Sequence, residues 1–227
     1  MVIYYNQFDY LATTSKLNKV RKKGFLQVMN NKKANTPSAE GIAAAARAAI
    51  KSKTLPPVMS WNPPFCGDLD IRIARNGTWY YLGTPIGRFE LVKLFSSILK
   101  IEDGKYFLVT PIEKVGIKVD DAPFVAVDFN EIEVTGERAL KFETQVGDEV
   151  IASDKNPIRV VRDTVSDEPA PYIHIRNGLD ALIDRKTFYR LIDIGQHKKY
   201  ENDDWFGIES ASAFFPIIKS EELNNSI

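Results

Sequence analysis

The chain has one cysteine and two histidines in 227 residues. With no cysteine pair, and histidine only at His174 and His197, neither a disulfide framework nor a structural zinc site can be assembled. There is no phosphate-binding P-loop, dinucleotide fingerprint, G-x-S-x-G elbow or kinase signature, so no motif names a reaction. No apolar run approaches the roughly 20 residues that a membrane-spanning helix needs. The single thiol and the lack of a secretory leader point to a reducing cytoplasm. Net charge is also missing, at a formal +0, but the balance hides an asymmetry. Residues 1–33 carry seven Lys/Arg and one Asp, which leaves 23 basic and 29 acidic side chains for the remainder. An acidic body argues against a broad nucleic-acid surface, although a local basic cleft is compatible with it.

What is present is a 44% hydrophobic chain, long enough for one large or two small domains. Its organising stretch is 61–98. Leu69, Ile71 and Ile73 alternate with Asp70, Arg72 and Ala74, the period of a strand with one apolar face. Asn76-Gly77 predicts a two-residue type I′ hairpin, and 78–82 a returning strand. Gly87 is the expected N-cap of a helix, with Arg88 at its first position and Ile86 stapled to Leu91. Leu91, Leu94, Phe95 and Ile98 form its apolar stripe.

A fainter copy lies downstream. Ile173-His174-Ile175-Arg176-Asn177-Gly178 repeats the I-x-I…R-N-G pattern with one residue fewer. Ile183-Asp184-Arg185 matches Ile86-Gly87-Arg88, and Phe188, Leu191 and Ile192 fall where Leu91, Leu94 and Phe95 fell. Tyr106-Phe107 and Trp205-Phe206 each open a strand after an acidic turn. Matching order over about forty residues reads as internal duplication.

Residues 1–35 form a basic stretch without clean periodicity, expected to be disordered, with Met29 as an alternative start to Met1. Thr36-Pro37 predicts the N-cap and first residue of a helix through the alanine-rich 43–49. After the first repeat, short strands are expected at 105–110, 115–119, 124–127, 132–134, 139–144, 149–152 and 158–162. The expected division is an N-terminal α+β domain over 36–112, a C-terminal α+β domain over 113–219 and a tail at 220–227. The fold class is α+β: two small domains related by duplication, with mainly antiparallel sheets, each carrying a helix.

Four features carry candidate chemistry. Cys66 is either a small half-buried thiol or a reactive one; a thiolate would need a nearby cation, whereas Asp68 and Asp70 would oppose it. Asp68 and Asp70 share a strand face, where they either approach a divalent cation or pair with Arg72. Trp79 and Tyr81 share one face of the returning strand and either stack on a flat ligand or pack into the core. Arg88 and Arg185 both open a helix, where a positive charge opposes the macrodipole by about 0.3–1 kcal/mol. That cost is offset either by Asp68, Asp70, Asp180 or Asp184, or by a bound anion, since a helix N-terminus and a guanidinium together make a phosphate site.

The run P-P-F-C-G-D-L-D-I-R-I-A-R-N-G-T-W-Y-Y-L-G-T-P-I-G-R, followed by L-V-T-P-I-E-K-V and D-A-P-F-V-A-V, closely resembles a proteobacterial domain-of-unknown-function family, number 1285. The resemblance covers roughly 37–217. It implies a duplicated core, a C-terminal half similar to pleckstrin-homology-like folds, and a ligand site between the halves for a nucleotide-like molecule acting in signalling. No activity, metal or cofactor comes with it. The expectation is a cytoplasmic sensor of a nucleotide-like anion, with a possible protein partner, binding through Arg72, Arg75, Trp79, Tyr81, Arg88 and Arg185, with Asp68 and Asp70 as polar partners. The alternative is a hydrolase using Cys66 or the Asp68/Asp70 pair.

Overall fold

The computed structural model describes residues 37–50, 54–162 and 168–224. The expectations for 1–35, including the choice between Met1 and Met29, lie outside the described residues. Helix α1 (Ala39–Ala49) starts at Ser38, two residues later than Thr36-Pro37 suggested. Ser38 has the extended backbone a cap requires, and its Oγ accepts the Gly41 N–H at 3.1 Å. Ala39, Ile42, Ala43 and Ala46 form the buried stripe of α1. A short 3-10 turn, Val58–Ser60, leads into the first repeat.

Strand β1 (Phe65–Ile73) buries Leu69, Ile71 and Ile73 and exposes Asp68, Asp70 and Arg72, as its alternation predicts. It pairs antiparallel with β2 (Trp79–Tyr81). The turn between them differs from the expected type I′. Gly77 alone has positive φ, at +81°, the Gly77 N–H donates to Ala74 O, and the Ala74 N–H donates to Thr78 O. This is a three-residue loop in which a type I turn ends in a left-handed glycine. The second copy, one residue shorter, does form the two-residue turn, with Asn177 at φ +49° and Gly178 at +79°. The missing residue in the repeat is therefore a change of hairpin type.

Strand β3 (Thr84–Pro85) adds to β2, and helix α2 (Phe89–Ser97) follows. Next come β4 (Leu99–Glu102), β5 (Lys105–Val109) and β6 (Lys114–Val119), an antiparallel meander that returns to β1. The first sheet runs β3-β2-β1-β6-β5-β4, with β6 parallel to β1. The strand at 114–119, beyond the boundary read at 112, therefore hydrogen-bonds into the first sheet.

The second sheet is built from β7 (Phe124–Val134), β8 (Glu137–Thr144), β9 (Glu149–Ile151), β10 (Ile158–Arg162), β11 (Pro169–Arg176) and β12 (Leu179–Ile183). The strands expected at 124–127 and 132–134 are one, because no Gly or Pro interrupts them and a bulge at 126–128 absorbs the irregularity. The order is β10-β11-β12-β7-β8-β9, with β12 parallel to β7. Helix α3 (Arg185–Asp193) follows, then a three-stranded sheet of β13 (Gln196–Tyr200), β14 (Asp203–Ser210) and β15 (Ala213–Lys219), and a last helical turn, α4 (Ser220–Asn224).

Hairpin, helix and three-stranded meander thus occur twice in the same order. The two copies close differently. In the first, the third meander strand pairs with the opening strand of the hairpin. In the second, β10 already occupies that edge of β11, so β13–β15 form a sheet of their own. One hydrophobic core joins both halves, from Ile42 of α1 through Trp79, Phe95 and Phe124 to Phe215. Arg176 ties the halves together across it. Its guanidinium pairs with Asp148, donates to the Ser96 carbonyl at 3.0 Å in the last turn of α2, and lies over the Phe124 ring at 4.9 Å.

Candidate functional site

A cleft of about 360 Å³ lies between α1 and the segment from β2 to the first turns of α2. Ala39 and Ala43 are buried on one wall, and Tyr81, Ile86 and Leu91 form the other. Three charged side chains, Glu40, Arg47 and Arg88, border it and are exposed. Arg88 is the N-cap of α2, not its first helical residue as expected. Its backbone is extended (φ −87°, ψ 101°), and it offers no side-chain acceptor to the helix. The boundary moves one residue because the Leu91 and Val92 N–H groups both bond the Arg88 carbonyl. Ile86 and Leu91 therefore do not occupy staple positions and meet instead at the cleft. The turn before them is a tight type I′ hairpin, with Leu82 at φ +49° and Gly83 at +75°, which turns Thr84 and Pro85 back toward α1.

Among the described residues, neither Arg88 nor Arg47 has a carboxylate partner. The other expected arginines are differently placed. Arg72 meets Asp120 at 3.5 Å, not Asp68 or Asp70, and lies over the Tyr80 ring at 5.1 Å. The β1–β6 register sets Arg72 opposite Lys118, which brings the same-face Asp120 within reach. Arg75 pairs with Asp121 at 3.2 Å. Arg185 does open α3 at its first position, exposed and without a partner among the described residues, but on a helix remote in sequence from this cleft. Asp184 is its N-cap and accepts the Thr187 N–H at 2.7 Å.

Trp79 is 1% exposed and stacks on Phe95, with ring centroids 6.2 Å apart. The ring of Trp79 is thus core, and only Tyr81 of the expected aromatic pair reaches the cleft. The Asp68 carboxylate lies across β6, over the position where Gly116 has no Cβ. The described residues contain no group of three or more metal-type ligands. Cys66 is half-buried, and its thiol donates to the Pro64 carbonyl at 3.5 Å.

A smaller cleft, about 170 Å³, opens at the seam of the two halves. Tyr172 donates to Asp121 Oδ1 at 2.7 Å, Arg159 pairs with Asp180 at 2.7 Å, and Arg159 covers the Tyr172 ring at 4.4 Å. Burial, followed by donation to the Asp121 carboxylate, pushes the Tyr172 phenol up to about 12. It therefore stays a neutral donor at physiological pH. Every charge at this seam has an opposite charge beside it, so its chemistry is cohesive.

Glu40 and Arg47 were not singled out in the sequence. The signal for them was their seven-residue spacing within the expected helix, which puts them on one face; that this face borders a cleft depends on how α1 packs. The Tyr172–Asp121 contact spans 51 residues and leaves no local trace.

The architecture is that of a duplicated α+β protein with two mixed sheets and a small third one. Residues 56–122 match the model of the N-terminal domain of DUF1285, a domain of unknown function, and residues 123–217 match that of its C-terminal domain. The chain belongs to the DUF1285 family. It is similar to the crystal structure of a DUF1285 family protein from Silicibacter pomeroyi DSS-3, with 56% identity, a TM-score of 0.72, and coverage of 81% of this chain and 97% of that one. A DUF1285 family protein from Shewanella baltica OS155 is 29% identical over 55% of this chain and 91% of that one; its TM-score of 0.44 carries no structural argument. No curated protein matches the chain. Among the described residues no helix is long and apolar enough to cross a membrane.

Proposed function

We propose that this protein is a non-catalytic sensor that binds a small, nucleotide-like anion in the cleft between α1 and the start of α2. The observation that carries the reading is the pair of guanidiniums, Arg47 and Arg88, facing one cleft without a carboxylate partner among the described residues. Arg72, Arg75, Arg159, Arg176 and Arg190, by contrast, all have one. Arg88 also sits at the positive end of α2, where an anion is favoured and a cation alone is not. The Tyr81 ring offers a flat surface to a base. This reading moves the ligand from the seam between the halves, where the family resemblance put it, to the N-terminal half. Signalling enters through α2, which begins at the cleft and ends against Arg176 of the second half. A hydrolase built on Cys66 or Asp68/Asp70 has no base, metal cluster or hydrogen-bonded triad among the described residues to support it.

The test is calorimetric titration and thermal melting with adenosine 5′-monophosphate. Binding should raise the melting temperature with ligand concentration, and the rise should shrink with added salt. Arg88→Ala should abolish the rise while changing unliganded stability by less than about 0.5 kcal/mol, as for an exposed side chain without partners. Arg88→Lys should recover part of it, because Lys lacks the bidentate fork. If wild-type protein does not bind, or Arg88→Ala binds equally well, the reading fails.

A further inference from the structure

The cleft is not uniformly positive. Glu40 and Arg47 both border it from α1, with buried Ala43 between them. Positions seven apart on a helix lie on one face, roughly 10 Å apart along the axis, too far to pair with each other. Neither has a partner among the described residues. Arg88 stands on the opposite wall. One wall therefore presents a carboxylate at one end and a guanidinium at the other, and the facing wall presents a second guanidinium. A simple polyanion would be attracted by two of these charges and repelled by the third.

We infer that the cleft selects an anion that also carries an amine: its anionic group meets Arg88 and Arg47, and its N–H donors meet the Glu40 carboxylate. This rests on the cleft being the binding site proposed above. Ionised Glu40 is an acceptor only, so it rewards an amine and penalises a carbonyl at the same place. Glu40 is exposed, so the discrimination comes from the bond gained: the analogue lacking the amine forgoes a charge-assisted hydrogen bond to the carboxylate, one of the stronger kinds. Helix α1 lies upstream of residue 56, where the match to the family's N-terminal domain begins. The two arginines thus come from different parts of the chain: Arg88 from within the matched segment, and Arg47, with the discriminating carboxylate, from outside it.

A purely structural role for the same residues is also physically sound. An acidic residue in the first turn of α1 and a basic one in its last turn both complement the helix dipole. The experiment must move something that the structural role would not. Calorimetric titration of the full chain with adenosine 5′-monophosphate and inosine 5′-monophosphate compares one anion with and without an exocyclic amine. Wild-type protein should bind the adenosine form about tenfold or more tighter. Glu40→Ala should weaken the adenosine form by about that factor, leave the inosine form unchanged or tighter, and bring the ratio near one. Glu40→Gln, which keeps side-chain length and an acceptor oxygen, should fall between. A wild-type ratio near one, or a ratio that Glu40→Ala leaves intact, overturns the role of Glu40; if Arg88→Ala still abolishes binding, the cleft reading stands. Failure of wild-type protein to bind either nucleotide overturns both.

Discussion

At the scale of single residues, the two repeats begin their helices with opposite chemistry. Asp184 caps α3 by accepting the Thr187 N–H, whereas Arg88, the N-cap of α2, gives its helix no acceptor. Asp184→Ala should therefore cost about 1 kcal/mol in urea denaturation. Arg88→Asp should do the reverse. It supplies a cap and reverses an unfavourable dipole interaction, and should stabilise the unliganded protein by about 0.5–1 kcal/mol while abolishing anion binding. A residue that is costly to the fold and required for binding is the pattern expected where stability and function compete. Destabilisation by Arg88→Asp would argue that the guanidinium has a structural partner.

At the scale of elements, α2 is the piece on which most of the rest depends. Its buried face includes Phe95, which stacks on Trp79 of the hairpin, its first turn borders the cleft, and its last turn is held by Arg176. Arg176 is only 15% exposed, and its partner Asp148 20%. Removing the guanidinium leaves a partly buried carboxylate and a helix C-terminal carbonyl without their donor. Arg176→Ala should cost about 2–4 kcal/mol, far more than the loss of an exposed arginine. Arg176→Lys should recover less than half of this, since one ammonium cannot span Asp148 and the Ser96 carbonyl at once. Chemical denaturation of both variants checks this, and an effect below about 0.5 kcal/mol, typical of a surface substitution, would contradict it.

At the scale of the whole molecule, ion pairs staple strands that are distant in sequence, and their titration should appear in the pH dependence of stability. Glu102 on β4 receives Lys114 of β6 at 2.6 Å and Lys100 at 2.9 Å. Lys114 first, then Lys100, holds the Glu102 carboxyl below its ordinary value of 4.5. A carboxyl whose pKa is lowered by folding adds stability that is fully present above its unfolded value and is lost as pH falls through its folded one. Wild-type protein should thus lose this contribution in the acid limb, below about pH 4.5. Glu102→Gln should be less stable than wild type near neutrality and should lose less on acidification. Urea midpoints from about pH 7 down to about pH 3 measure the difference, and parallel curves for the two proteins would remove Glu102 from the account.

Local chemistry was legible in the sequence wherever near neighbours decide the outcome. The alternation in β1, the apolar stripe of α2, the Asp184 cap and the repeated hairpin–helix order all follow from side-chain periodicity and capping within a few residues, and the chain's family was legible in one long motif. Turn type was only half legible: Asn-Gly marks both hairpins, but one extra residue changes the first into a three-residue loop. Tertiary packing decided the rest. Trp79 and Tyr81 share a face in the sequence, yet only the fold says that Phe95 covers one and leaves the other at a cleft. Arg72 and Asp70 are two residues apart, but the parallel pairing of β6 with β1 hands Arg72 to Asp120 instead. Periodicity says which face a residue occupies; what lies against that face depends on strands and helices tens of residues away, and it is there that Glu40, Arg47 and Arg88 come together.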